Sequence, residues 1–224
     1  MFVPVVLVAV VAIPALAAES PLIVSDLVTG EASHVRITNT AGQPITAWSL
    51  AATTEKPGGG THREVYTTEG YLSEATHGLP KAARRLERLM PGESRDLPLD
   101  PLPAGVKVDV IATVLDDGTA IGDEKAIASI FANRVKEREA LKSVVDAFNA
   151  VLSVKHGPEA LAALRGRFAA LVEKNDNVPC RAALDAVQAY ERKGQPDQTE
   201  KSLRTYADFV SKEYALAEKH SQRR

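Results

Sequence analysis

The residues that could do chemistry in this chain are five histidines and a scatter of carboxylates. His34, His62, His77, His156 and His220 lie far apart with no i,i+4 pair, so no helix face offers two imidazoles to a metal. A G-x-S-x-G elbow, an H-E-x-x-H helix, a P-loop and a dinucleotide glycine run are all missing. One region does gather polar groups: His62, Glu64, Glu69, Glu74 and His77. Paired carboxylates across a cleft perform acid–base hydrolysis, so Glu64, Glu69 and Glu74 support a hydrolase of envelope or extracellular polymers as a rival reading. The simpler reading is a solvated loop. No catalytic residue, metal-ligand set or cofactor is assigned.

A second group is basic. Lys81, Arg84, Arg85 and Arg88 fall at i, i+3, i+4 and i+7 of a predicted short helix over 81–89, with Ala82, Leu86 and Leu89 on its other face. Such a face grips phosphate, a carboxylate-rich polymer or a membrane surface. The plainer alternative docks the apolar face and leaves the charges wet. These four are the expected binding residues, because the 69–90 connection is long for a β domain and long connections are functional or mobile. A third group, Asp116, Asp117, Asp123 and Glu124, offers hard oxygens to calcium. Its spacing is not that of an EF-hand, and Asp117-Gly118 and Asp123 already suit a hairpin turn and a helix cap. Trp48, the lone Cys180 and the Tyr206/Tyr214 stripe read as core, and Gly58-Gly59-Gly60 as a hairpin tip.

Composition narrows the classes. The chain has 224 residues, 27 Lys+Arg against 29 Asp+Glu and a net charge of −2, which argues against nucleic acid as a partner. Residues 1–122 carry 14 acids and 9 bases, net −5; residues 123–224 carry 15 and 18, net +3. Residues 1–18 hold no charged side chain and end in Ala15-Leu16-Ala17-Ala18, an apolar core with an A-x-A cleavage pattern. That predicts an export signal cut near Ala17 or Ala18, a periplasmic or secreted protein, and no integral membrane span after cleavage. A single cysteine leaves the exported core without a disulfide.

The period of the apolar residues changes once. Over 21–121 it is two, with strands predicted at Leu22–Val28, Ser33–Asn39, Ile45–Leu50, His62–Thr68, Ser94–Leu99, Val106–Leu115 and Thr119–Ile121. Pro91-Gly92 suits a type II turn and Asp116-Asp117-Gly118 a hairpin. Six or seven short strands with turns between them predict an antiparallel, immunoglobulin-like β-sandwich. Over 123–222 the period is helical: Asp123 is an N-cap, and Ile127, Ile130, Phe131 and Val135 make one stripe. Leu141, Val144, Val145, Phe148 and Leu152 make another. Between the stripes, Lys136-Glu137-Arg138-Glu139 is charged all round, as expected of a helix that bridges two packed bodies. Gly157 is expected to end it, with Pro158 the first residue of the next helix, and three more helices complete a small bundle. The fold class is thus α+β in two parts.

The run Val35-Arg36-Ile37-Thr38-Asn39-Thr40-Ala41-Gly42-Gln43-Pro44-Ile45-Thr46-Ala47 resembles the opening of a group of uncharacterised exported bacterial proteins. The spacing to Leu89-Met90-Pro91-Gly92-Glu93-Ser94, to Val108-Asp109-Val110-Ile111 and to Asp116-Asp117-Gly118-Thr119-Ala120-Ile121-Gly122-Asp123 is similar to theirs. The likeness covers about residues 22–138 and implies the sandwich with a helical tail; it brings no activity. The expectation is a non-enzymatic binding or scaffolding protein whose partner is a protein or an anionic envelope polymer. An envelope chaperone or assembly factor, marked by an unpaired edge strand, is the third reading.

Overall fold

The computed structural model describes residues 20–56, 58–76, 86–193 and 196–224. The expected signal over 1–18, and Lys81, Arg84, Arg85 and His77, lie outside the described residues.

Alternation and turn chemistry produce seven antiparallel strands: β1 (Leu22–Val28), β2 (His34–Asn39), β3 (Ile45–Glu55), β4 (Thr61–Glu69), β5 (Ser94–Pro98), β6 (Lys107–Leu115) and β7 (Ala120–Gly122). They form a three-stranded sheet in the order β1-β2-β5 and a four-stranded sheet in the order β4-β3-β6-β7. Val35, Ile37 and Leu97 of the first sheet meet Trp48, Leu50 and Leu115 of the second in one apolar core. Strand β3 runs to Glu55, past the predicted end at Leu50, because β4 pairs with it without a break from Ala47↔Glu69 to Glu55↔Thr61. The Pro91-Gly92 turn is made as expected, with Gly92 at φ +74° and the Glu93 N–H donating to Met90 O.

The chain then turns helical: α1 (Glu124–Leu152), α2 (Gly157–Lys174), α3 (Val178–Lys193) and α4 (Pro196–His220). Asp123 caps α1, its Oδ1 accepting from the Ala126 N–H at 2.9 Å. Ile127, Ile130 and Phe131 pack on Ala47, Ala112 and Val114, small residues that let the helix lie close to the sheet. Farther along, Leu141, Val144 and Phe148 join Leu164, Phe168, Val187, Leu203 and Val210 in a separate helical core. The predicted bridging helix is therefore present; it stops at Leu152, short of Gly157, and Pro158 stands in the first turn of α2 as expected. Cys180 is buried in this helical core, where burial raises its thiol pKa and keeps it inert.

Two departures concern the 69–90 insertion. A 3₁₀ helix, Tyr71–Thr76, inserts Tyr71 and Leu72 into the helical core. Of the predicted helix over 81–89, only 86–89 lies within the described residues, and it is not helical. Leu86–Arg88 has no regular structure, and Leu89 is fully buried, exchanging backbone hydrogen bonds with Ile45 at 2.9 and 3.0 Å. Ile45 lies before the β3–β4 pairing begins at Ala47, and Leu89 takes that place on β3 instead of the helical face it was expected to share.

Gly122 marks the passage from β7 to α1. Its φ is +128°, and a Cβ there would stand 2.2 Å from the Ile111 carbonyl oxygen, which is backbone and cannot yield. Gly122→Ala should therefore cost at least about 2 kcal/mol, read as a lower urea midpoint with an unchanged m-value.

Candidate functional site at the sheet–helix junction

Where the apolar stripe of α1 changes from sheet-facing to bundle-facing, Arg134 occupies the inward position. Its side chain is 0% exposed. From it, Nε and Nη2 donate to Glu69 Oε2 at 3.0 and 2.8 Å, and Nη2 also donates to Thr46 Oγ1 at 3.1 Å. Nη1 donates to the His220 carbonyl at 3.2 Å, answering one of the acceptors left open at the end of α4. Tyr71 and Phe131 rings flank the guanidinium at 4.8 and 5.4 Å, so its remaining surface meets π faces instead of water. Five segments thus converge on one cation: the start of β3, the end of β4, the 3₁₀ helix, α1 and the end of α4.

Burial sets the titration of the groups around it. Removal from water lifts the Glu69 carboxyl to about 7; Arg134 opposes this and Glu137 adds to it. Tyr71 donates to Glu137 Oε2 at 2.7 Å, and burial together with that carboxylate raises its phenol. His220, 2% exposed and against the Tyr71 ring, is pushed down to about 4 by burial and by the charges of Lys219, Arg134 and Arg88, with Asp116 pulling the other way. Asp116 closes the network. Burial disfavours its charge, yet the hydrogen bond from Arg88 at 2.7 Å and the charge of Lys219 hold it below the usual carboxylate range.

The residues read from sequence are distributed differently. Arg88 is the one expected binding residue within the described chain, and it sits 18% exposed between Glu74 and Asp116, holding the root of the insertion. Glu64 and Glu69 are five residues apart on β4, about 17 Å along the strand and on opposite faces. Glu64 is exposed and bonded to His62 and Tyr66, Glu69 is half-buried on Arg134, and Glu74 is held by Arg88. In the acidic turn each carboxylate has its own protein partner: Asp117 accepts from the Thr119 N–H, Asp123 from Ala126, and Glu124 from Arg223. Among the described residues no cluster of three His, Cys, Asp or Glu is placed to hold a metal. A groove of about 330 Å³ between α1, α3 and α4, lined by Leu141, Val178, Tyr206, Phe209 and Val210, carries one carboxyl, Glu213.

Arg134 itself escaped sequence reasoning, which placed Val135 on the stripe. The signal was present: 127, 130/131, 134 and 141 continue one helical face, and an arginine on an otherwise apolar face is the mark of a buried cation. Comparison with known proteins adds nothing to the site: no family model, no curated protein and no solved structure matches this chain.

Two measurements probe the junction. Arg134→Met should cost about 3–5 kcal/mol by stranding Glu69. Arg134→Met with Glu69→Leu should cost much less than the two single changes summed, a coupling that a double-mutant cycle in urea reads directly.

The second measurement is the pH dependence. Glu69 binds its proton more tightly when folded, so its contribution is full below about 4.5 and is lost as pH rises through about 7. His220 is the reverse: its contribution is full above about 6.5 and is lost as pH falls through about 4. Between pH 4.5 and 6.5 the two oppose. His220→Gln should leave stability falling as pH rises across that window, and Glu69→Gln should leave it falling as pH drops, with the parent flatter than either.

Proposed function

We propose that this is an exported, non-catalytic binding or scaffolding protein of the bacterial envelope, which makes its contacts through the 69–90 insertion. The observation that carries this reading is how firmly both roots of the insertion are held. On one side Tyr71 and Leu72 are buried in the helical core; on the other Arg88 is clamped between Glu74 and Asp116, and Leu89 is bridged to Ile45. A long connection raised on two fixed roots is suited to presenting a surface, and it carries Lys81, Arg84 and Arg85, cations that complement a protein or an anionic envelope polymer. The hydrolase reading has less support, since its three carboxylates are not paired across a cleft and two of them neutralise internal arginines.

The β half is proposed to be an immunoglobulin-like sandwich. Support comes from the strand order β1-β2-β5 facing β4-β3-β6-β7, in which β5 returns beside β2 after β3 and β4 have passed to the other sheet, a Greek-key path. Export rests on the apolar 1–18 segment and its A-x-A end, and on the resemblance to exported bacterial proteins. Among the described residues no helix is long and apolar enough to cross a membrane.

A photo-crosslinking residue at Ala83, activated in the native envelope, should give one discrete adduct. That adduct should disappear in the Lys81→Ser/Arg84→Ser/Arg85→Ser variant, which spares the structural Arg88. The same material should begin just after Ala17 or Ala18. An adduct indifferent to the triple change moves the contact elsewhere, and an intact N-terminus in cytosolic fractions overturns export.

A further inference from the structure

Strand β4 ends the four-stranded sheet, and among the described residues it pairs only with β3. Natural sheets blunt such an edge with a bulge, a proline, brevity or charged side chains. Here only the last is present, in Arg63, Glu64 and Glu69. The β3–β4 pairing runs through nine register pairs without a shift, whereas β3–β6 shifts twice. The strand Thr61-His62-Arg63-Glu64-Val65-Tyr66-Thr67-Thr68-Glu69 contains neither lysine nor proline and is rich in β-branched and aromatic residues. Thr61 to Val65 are exposed throughout, and Val65, at its midpoint, is 53% exposed. The edge is long, straight and wet.

We infer that β4 pairs with β4 of a second copy of this chain, antiparallel, about a two-fold axis through Val65. Side chains facing each other across a two-fold normal to the sheet must leave the same face, so the axis passes through a residue and not between two. With the axis at Val65, the two exposed valines cover each other, Arg63 faces the partner's Thr67, His62 faces the partner's Thr68, and Glu64 faces the partner's Tyr66. The last pair is chemically matched already, since within the chain the Tyr66 hydroxyl donates to Glu64 Oε2 at 2.7 Å. Neighbouring registers are worse. An axis at Glu64 opposes two carboxylates, and one at Arg63 opposes two guanidiniums, both unfavourable directly across a ladder. An axis at Tyr66 calls on Gly70, whose N–H is bonded to the Thr46 carbonyl, and on Tyr71, which is buried. The result is a continuous eight-stranded sheet. This proposal does not depend on the binding function argued above.

Sedimentation of the purified protein over a concentration series tests it. A reversible dimer is expected, and Val65→Lys should weaken it by about tenfold or more without altering the circular dichroism or melting of the monomer. Val65 facing itself brings the two Cα atoms to about 4.5–5.5 Å, within disulfide reach. Val65→Cys should therefore oxidise to a covalent dimer, while Val154→Cys, at an even more exposed site, should not; the buried Cys180 stays silent in both. A monomer at every concentration overturns the inference, including one that binds another protein's extended segment along β4. So does a dimer indifferent to Val65→Lys, or equal crosslinking from both cysteine variants.

Discussion

The guanidinium of Arg134 is the constraint around which the rest is arranged. Taking a cation out of water costs several kcal/mol even after relaxation, and attraction to one carboxylate rarely offsets that alone. Here the compensation is spread over Glu69, Thr46, the His220 carbonyl and two aromatic faces, supplied by segments distant in sequence. Loss of any one of them leaves a charge or a donor unanswered in a dry place. The junction therefore links the order of the sheet to the order of the helices, although their apolar cores are separate.

Helix α1 is what makes this linkage geometric. Its 29 residues span about 44 Å, long enough to serve two cores in succession. The first turns see Ala47, Ala112 and Val114, and the later ones see the helical core. Arg134 falls where one apolar partner has ended and the next has not begun, the one place on the inward face where a cation finds polar company. The return of α4 completes the enclosure. Arg223 pairs with Glu124, and the Arg224 N–H donates to the Gly118 carbonyl, so the end of the chain is tied to the β6–β7 hairpin and the start of α1.

Much of this architecture was legible beforehand, for reasons that are local. Period-two alternation, Pro91-Gly92, Asp116-Asp117-Gly118 and the Asp123 cap are written within a few residues of where they act. What was not legible depends on partners far along the chain. Leu89 reads as one face of a helix until Ile45 is beside it. Tyr71 reads as part of a loop until the helical core receives it. His220 looks like an exposed residue near a terminus, yet it is buried against Tyr71. Glu64, Glu69 and Glu74 lie near one another in sequence, but β4 alternation sends Glu64 and Glu69 to opposite faces.

Perturbed titration commonly marks catalytic groups, and this junction has a carboxyl raised to about 7 and a histidine lowered to about 4. In each case burial is the largest contribution. Glu69 is held by Arg134, Asp116 by Arg88 and Lys219, and Tyr71 by Glu137. A general acid or base needs an unfilled position within hydrogen-bond reach of its proton. Around Glu69, Asp116 and Tyr71 those positions are taken by side chains that fasten one part of the fold to another, while the buried His220 Nε2 has no hydrogen-bond partner. The same groups that suggest chemistry by their energetics are, by their geometry, the means by which a sheet and a helical layer act as one support.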